Sequence, residues 1–485
     1  MPNDTVVAVT VPSQWSVQSY CGTIPTACRA IWVSELAGSP SSDYLGTKLC
    51  YRKNLRYYIT LMAIWPTSDT MVHSTRRDVI KVSGALLGGI AVGTTVTAAT
   101  STDRFIAQTK GRGLPNSVEV VHEMPGTDLA VVTGDESALR SSKGVKDFAP
   151  DIELELNEPE TNAEAPTFDA SDYEGQPGDF LQWDKADLDV PQAHEVTEGE
   201  GTRVSVIDSG VLESHPDLAG PLNLDLSRNF TGDGGDHNPV GGDDHGTHVA
   251  GIIAADNGGG IGVNGTAPKT DLVDCRVFSA EGGASFADIL AAVVYSANVG
   301  ADVANLSLGA YPVPRNDGQF GQFYGKVLNS TMTYANKEGT LLVIAAGNDS
   351  ADLQHDGNVI SLPNEGAQAL SVAATGPIGY GWDADGDGEL SDLAAPPESP
   401  AFYTNYGTNA ITLGAPGGDA DTDAIGTGVP WFNDLVFNAV FDYVDTDGDG
   451  RHLHSVVVTY EGTPDRQTLY PSGASEIERL THWLT

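Results

Sequence analysis

The chain has 485 residues, enough for two or three domains with sizeable cores. Lys and Arg number 25 against 66 Asp and Glu, a net charge of −41, and such a surface repels nucleic acid and anionic membranes. With 40% hydrophobic residues the charge coats a globule, which suits solubility in concentrated salt, where screening suppresses self-repulsion.

Residues 1–70 depart from this pattern, holding five basic and four acidic residues and three of the four cysteines, Cys21, Cys28 and Cys50. The stretch is expected to be a spurious N-terminal extension read from a misplaced start. Met71 then opens a run in which Thr75-Arg76-Arg77-Asp78-Val79-Ile80-Lys81 resembles a twin-arginine export signal. A weakly apolar segment follows, with small residues at Thr97, Ala98 and Ala99 that suit cleavage. Its glycines and hydroxyl residues make a poor span, so residues 71–99 are expected to direct export out of the cell without stable membrane insertion. Cys275 is the lone cysteine beyond them, so no internal disulfide is available after cleavage.

Residues 100–156 read as a small α+β unit, with strands over 117–122, 128–133 and 143–148 and a helix start over 135–141. Residues 157–178 are rich in Glu, Asp, Pro, Asn and Ala and predict an exposed acidic linker. From residue 179, apolar runs at 203–207, 271–277, 303–306, 341–345 and 369–373 alternate with helical patterns at 286–299 and 322–338. Alternation of this kind predicts an α/β unit with a mostly parallel sheet covered on both faces. Functional residues in such folds gather at the carboxyl ends of the strands.

The chemistry-bearing motifs fall at those ends. Val204-Ser205-Val206-Ile207-Asp208-Ser209-Gly210 is an apolar strand closing on a carboxylate, and His215-Pro216-Asp217-Leu218 follows it. Asp244-His245-Gly246-Thr247-His248 opens a helix with small residues behind it. Two histidines three apart are also a metal-binding spacing, but no glutamate ligand lies between them. Asn305-Leu306-Ser307-Leu308-Gly309 and Ala345-Ala346-Gly347-Asn348 come next, then 402–407 and Ala415-Pro416-Gly417. Taken in order, these motifs resemble those of the subtilisin-like serine proteases, and the acidity and export signal resemble the halolysin branch. The aspartate-then-histidine order is the one this family uses.

The resemblance implies a three-layer subtilisin-like fold over 179–450, with residues 100–156 as an inhibitor-like propeptide and polypeptides as substrates. It implies His245 as general base, Asp208 as the carboxylate that orients it, Asn348 as the oxyanion donor, and Ser307, Leu308 and Gly309 as the backbone that pairs with substrate. His248 is expected to be structural. The family's Gly-Thr-Ser-Met-Ala motif, which opens a buried central helix, has no clear counterpart. Ser472-Gly473-Ala474-Ser475 comes nearest, but Glu476-Ile477-Glu478-Arg479 follows it. Residues 451–485 are therefore expected to be a non-native tail left by a frameshift or truncation, and the product is expected to be inactive. A peptide-binding pseudoprotease and a calcium-loaded structural protein are the alternatives.

Calcium is a candidate structural ion at Asp383, Asp385 and Asp387, which alternate ahead of glycines as in an EF-type loop. Position 12 is Ala394, so the bidentate glutamate is missing there. Asp445, Asp447 and Asp449 repeat the spacing with Val456 at position 12, and Asn257-Gly258-Gly259-Gly260 lacks side-chain ligands where the family has a further calcium loop.

Overall fold

The computed structural model describes residues 100–155 and 182–443, apart from 112, 241–243, 258–261, 280–282, 315–322, 383–392 and a few positions between 422 and 430. Short strands at 16–18, 30–34, 49–50 and 456–460 are also described. The expected export signal, the acidic linker, the carboxylates of both calcium loops and Ser475 lie outside the described residues. The unit Met1–Thr67 contains β1 (Ser16–Gln18), β2 (Ala30–Ser34) and β3 (Leu49–Cys50) in one antiparallel sheet.

In the second unit, β4 (Thr100–Thr109), β5 (Val118–Glu123), β6 (Leu129–Gly134), α1 (Glu136–Ser141) and β7 (Val145–Glu155) build a small antiparallel sheet with one helix. The sequence pattern located β5, β6, α1 and the start of β7 but not β4. That strand pairs with both β6 and β7 and is the centre of the sheet. Asp135 caps α1 through its side chain, which accepts the Ser137 N–H at 2.8 Å. Phe105, Ala107, Val132 and Leu139 form a core between helix and sheet.

The larger part begins with α2 (Trp183–Asp187) and α3 (Val190–His194), then β8 (Arg203–Asp208), β9 (Arg228–Asn229) and α4 (His245–Ala254). Next come β10 (Asp271–Arg276), β11 (Gly283–Ser285), α5 (Phe286–Asn298), β12 (Val303–Leu306) and β13 (Ala310–Pro314). They are followed by α6 (Gly325–Glu338), β14 (Leu341–Ala345), β15 (Val359–Leu362), β16 (Ala369–Thr375) and β17 (Leu413–Pro416). A 3-10 turn (Trp431–Asp434) leads to β18 (Ala439–Tyr443), which pairs antiparallel with β19 (Val456–Tyr460). Seven strands form one parallel sheet in the order β17-β16-β14-β12-β8-β10-β9.

Local chemistry sets the helix ends. Ser285 caps α5 by accepting the Asp288 N–H at 3.2 Å, and Gly339, at φ +112°, ends α6 in a left-handed turn. Helices α5 and α6 lie on one face, where Leu290, Val294, Val327, Leu328 and Met332 pack with Ile207, Val273, Leu306 and Ile344. Helix α4 lies on the other, where Val249, Ala250 and Ala254 pack with Val204, Val206 and Leu272. This matches the expected mixed α/β fold with a large parallel sheet. On the α4 side, the side chains of β12, β14 and β16 are half-buried, apart from the exposed Leu341.

Candidate active site

Strand alternation turns Val204, Val206 and Asp208 toward α4. Asp208 is fully buried at the carboxyl end of β8, and His245 is the first residue of α4. Their side chains meet, with His245 Nδ1 2.7 Å from Asp208 Oδ1. Against a carboxylate the nitrogen donates, which leaves Nε2 as the ring's basic atom. Asp208 Oδ1 also accepts the Ser209 N–H at 2.7 Å.

The approach of helix to strand depends on small residues and hydroxyls. A Cβ on Gly246 would lie 2.5 Å from the Gly210 carbonyl oxygen and 3.2 Å from the Asp208 Cβ, so no larger residue fits without displacing the pair. Ser209 Oγ accepts the Gly246 N–H at 2.9 Å, and Thr247 Oγ1 accepts the Leu212 N–H at 3.0 Å. These bonds fasten the turn after β8 to the first turn of α4. Sequence reasoning named Gly246 and Thr247 only as part of a motif; their work is this close contact. His215, Asp217 and His248 are structural. Asp217 receives the Val263 N–H at 3.0 Å, and His248 Nε2 lies 3.2 Å from the Val436 carbonyl, so it braces α4 against the segment before β18.

Because β12 lies between β8 and β14, the carboxyl ends of the three strands bring Asp208, Ser307–Gly309 and Asn348 to one rim of the sheet. Gly347 has φ +102°, and a Cβ there would meet Asn405 Nδ2 at 2.5 Å. Asn405, fully buried, organises this loop. Its Nδ2 donates to Ala346 O and Asp349 Oδ2, both at 3.0 Å, and its Oδ1 accepts the Asp349 and Ala351 N–H groups at 3.0 and 2.9 Å. Burial pushes the Asp349 carboxyl up to about 6, although the Asn405 bond opposes the shift. Asn405 was not singled out from sequence, since a lone Asn in 402–407 carries no signal until its four side-chain hydrogen bonds, to Ala346, Asp349 and Ala351, are seen.

A second edge was also missed. β11 pairs antiparallel with the end of β7, setting Gly283, Ala284 and Ser285 against Glu155, Leu154 and Glu153. The chain that leaves the small sheet therefore runs as an added strand along the larger part. Charged contacts support it: Arg104 bonds Asp288 and lies 3.1 Å from Asp151, His122 Nε2 lies 2.8 Å from Asp288, and Asp151 accepts from Ser285 and Ala287. Burial raises the Asp151 carboxyl to about 6 in spite of Arg104. Asp383, Asp385 and Asp387 lie outside the described residues, and among the described residues no three acidic, histidine or cysteine side chains are grouped to hold a metal ion.

The sequence profile of the Subtilase family matches residues 199–475, more than half of the chain. This chain belongs to the Subtilase family. By family it is a serine peptidase, a hydrolase of peptide bonds. It is 32% identical over 231 residues to thermitase of Thermoactinomyces vulgaris, covering 47% of this chain and 74% of thermitase. It is 30% identical over 307 residues to halolysin of Haloferax mediterranei, covering 63% of this chain and 51% of halolysin; it thus spans about half of that relative. Among solved structures, the epidermin leader peptide processing serine protease of Staphylococcus aureus aligns with a TM-score of 0.51 at 18% identity, covering 74% of this chain and 84% of that one. That likeness shows the fold alone. No helix of the described residues is long and apolar enough to cross a membrane.

Proposed function

We propose that this subtilase is an exported serine endopeptidase of a salt-adapted organism, made with residues 100–156 as its own inhibitory propeptide. The observation that carries the reading is the 2.7 Å contact between His245 Nδ1 and Asp208 Oδ1 at the carboxyl rim of a parallel sheet. His245 Nε2 takes the proton of the attacking serine hydroxyl, and Asp208 fixes the tautomer and stabilises the imidazolium that forms. The Asn348 amide donates to the oxyanion, and the backbone of 307–309 pairs with an extended polypeptide. The pairing of 283–285 with 153–155, which lays an extended chain beside α5, supports the propeptide reading. Export rests on the residues around Arg76 and Arg77, and salt adaptation on the net charge of −41.

The nucleophile is the decisive point. Ser475 closes the segment matched by the family profile, and Glu476, Glu478 and Arg479 follow it where the family has small apolar residues. The half-buried side chains on the α4 side of β12, β14 and β16 favour a second reading, a subtilase that holds peptides without turnover. A serine-directed fluorophosphonate probe decides between them. Labelling that is lost in Ser475→Ala and His245→Ala establishes the peptidase; peptide binding without labelling establishes the second reading.

A further inference from the structure

Strand β10 carries two charged side chains, Asp274 and Arg276, that are fully buried and stand in register with Val206 and Asp208 of β8. Arg276 holds Asp233 through bonds of 2.8 and 2.9 Å and the Asp236 carbonyl at 3.0 Å. Asp274 Oδ2 accepts His237 Nδ1 at 3.0 Å. The segment 233–239 is thus clamped at both ends, and it lies directly on the turn that follows the catalytic aspartate. A Cβ on Gly210 would come within 2.7 Å of both the His237 carbonyl oxygen and the Pro239 nitrogen. The same Asp274 Oδ2 reaches into that turn and accepts the Val211 N–H at 2.8 Å.

We propose that the buried Asp274–His237 pair is a positioning device for the catalytic aspartate, holding the turn 209–211 so that Asp208 meets His245 Nδ1. The inference rests on Asp208 and His245 being the working pair. From the α4 side the turn is held by Ser209 and Thr247; Asp274 supplies its anchor from the β10 side. A carboxylate is a costly choice for that place. Asp274 is wholly buried, its Oδ1 has no hydrogen-bond partner among the described residues, and burial pushes its carboxyl up to about 6 against the pull of the His237 bond. An apolar residue would fill the space without that cost, but it could not accept both the Val211 amide and the imidazole. The geometry therefore ties a second histidine–carboxylate pair to the first through one turn of backbone.

The test compares the full chain with His237→Ala, His237→Asn and Asp274→Asn, reading the downfield proton signal of His245 Nδ1 by NMR and peptide hydrolysis. Asn at 237 keeps a donor near the position of Nδ1. His237→Ala and Asp274→Asn are expected to broaden the His245 signal and lower kcat by about ten- to a hundredfold at unchanged KM, and His237→Asn to restore both. An unchanged signal and kcat in His237→Ala overturns the proposal, as does a His237→Asn variant that is folded but no better than His237→Ala. If His237→Ala fails to fold, the comparison of His237→Asn with Asp274→Asn decides. If the unmodified chain shows the His245 signal but no turnover, the peptidase reading fails and the NMR comparison still decides this one.

Discussion

On the α5 and α6 side of the sheet, Ala304, Leu306, Leu342 and Ile344 are at most 1% exposed. On the opposite side of the same strands, Val303, Asn305, Val343 and Ala345 are half-buried and Leu341 is 39% exposed. The first side is a finished core, built from two long helices whose apolar residues recur at helical spacing. Among the described residues the second is covered by α4 over β8 and β10, and it carries the candidate chemistry: Asp208, His245, Asp274 and Arg276. The well-packed core and the candidate site thus sit on opposite sides of one layer of strands.

The largest effect belongs to the site. His245→Ala should lower serine-probe labelling and hydrolysis by about 10⁴-fold while leaving thermal unfolding unchanged; activity that survives it would move the site off the α4 side. Removing core from the finished side should act on stability instead. Ile344→Ala is expected to cost about 2–5 kcal/mol, and Val343→Ala, one residue away on the half-covered side, under about 1 kcal/mol, both by denaturant unfolding. Equal costs would break the contrast between the two sides.

Arg104→Ala leaves the buried Asp151 and Asp288 without the guanidinium that joins them, His122 remaining on Asp288. It should weaken the seating of the small sheet on α5 by about 2–3 kcal/mol, seen as faster amide exchange at the N-terminus of α5. Acidity adds a smaller, distributed effect. Burial raises Asp274, Asp349 and Asp419 to about 6 and Asp434 to about 7, against an ordinary value of 3.8. The folded chain therefore binds protons before the unfolded one, and each group favours folding as pH falls through its raised value toward 3.8. The melting temperature should rise between pH 7 and about 5, and Asp274→Asn should flatten that rise. The smallest change expected is a lowered melting temperature on chelation, if Asp383, Asp385 and Asp387 hold calcium.

Much of the architecture was legible because parallel strands buried on both faces are short continuous apolar runs. Residues 303–306 and 341–345 have the observed bounds, and 203–207, 271–277 and 369–373 differ from theirs by one or two residues. Asp208 and His245 were legible because each sits in a local motif. β4 was not, since its pattern opens with hydroxyl and charged residues and its residues pair with β6 and β7 across 21 (Gln108 to Leu129) to 52 (Thr100 to Ile152) positions. Asn405 and the Asp274–His237 pair were illegible for the same reason. Each works through contacts across 37 or more positions, and nothing in the residues beside them marks the partner.

The strand formed by Glu153–Glu155 against Gly283–Ser285 is covalently part of the chain it lies on. While the connection through residues 156–181 is intact, the occupant is present at an effective concentration on the order of millimolar, whatever the concentration of the protein. Dilution cannot empty the edge in that state. Once the connection is cut, the same contacts become a bimolecular equilibrium, and a molecule spreading into a large volume loses its occupant simply by being few and far apart.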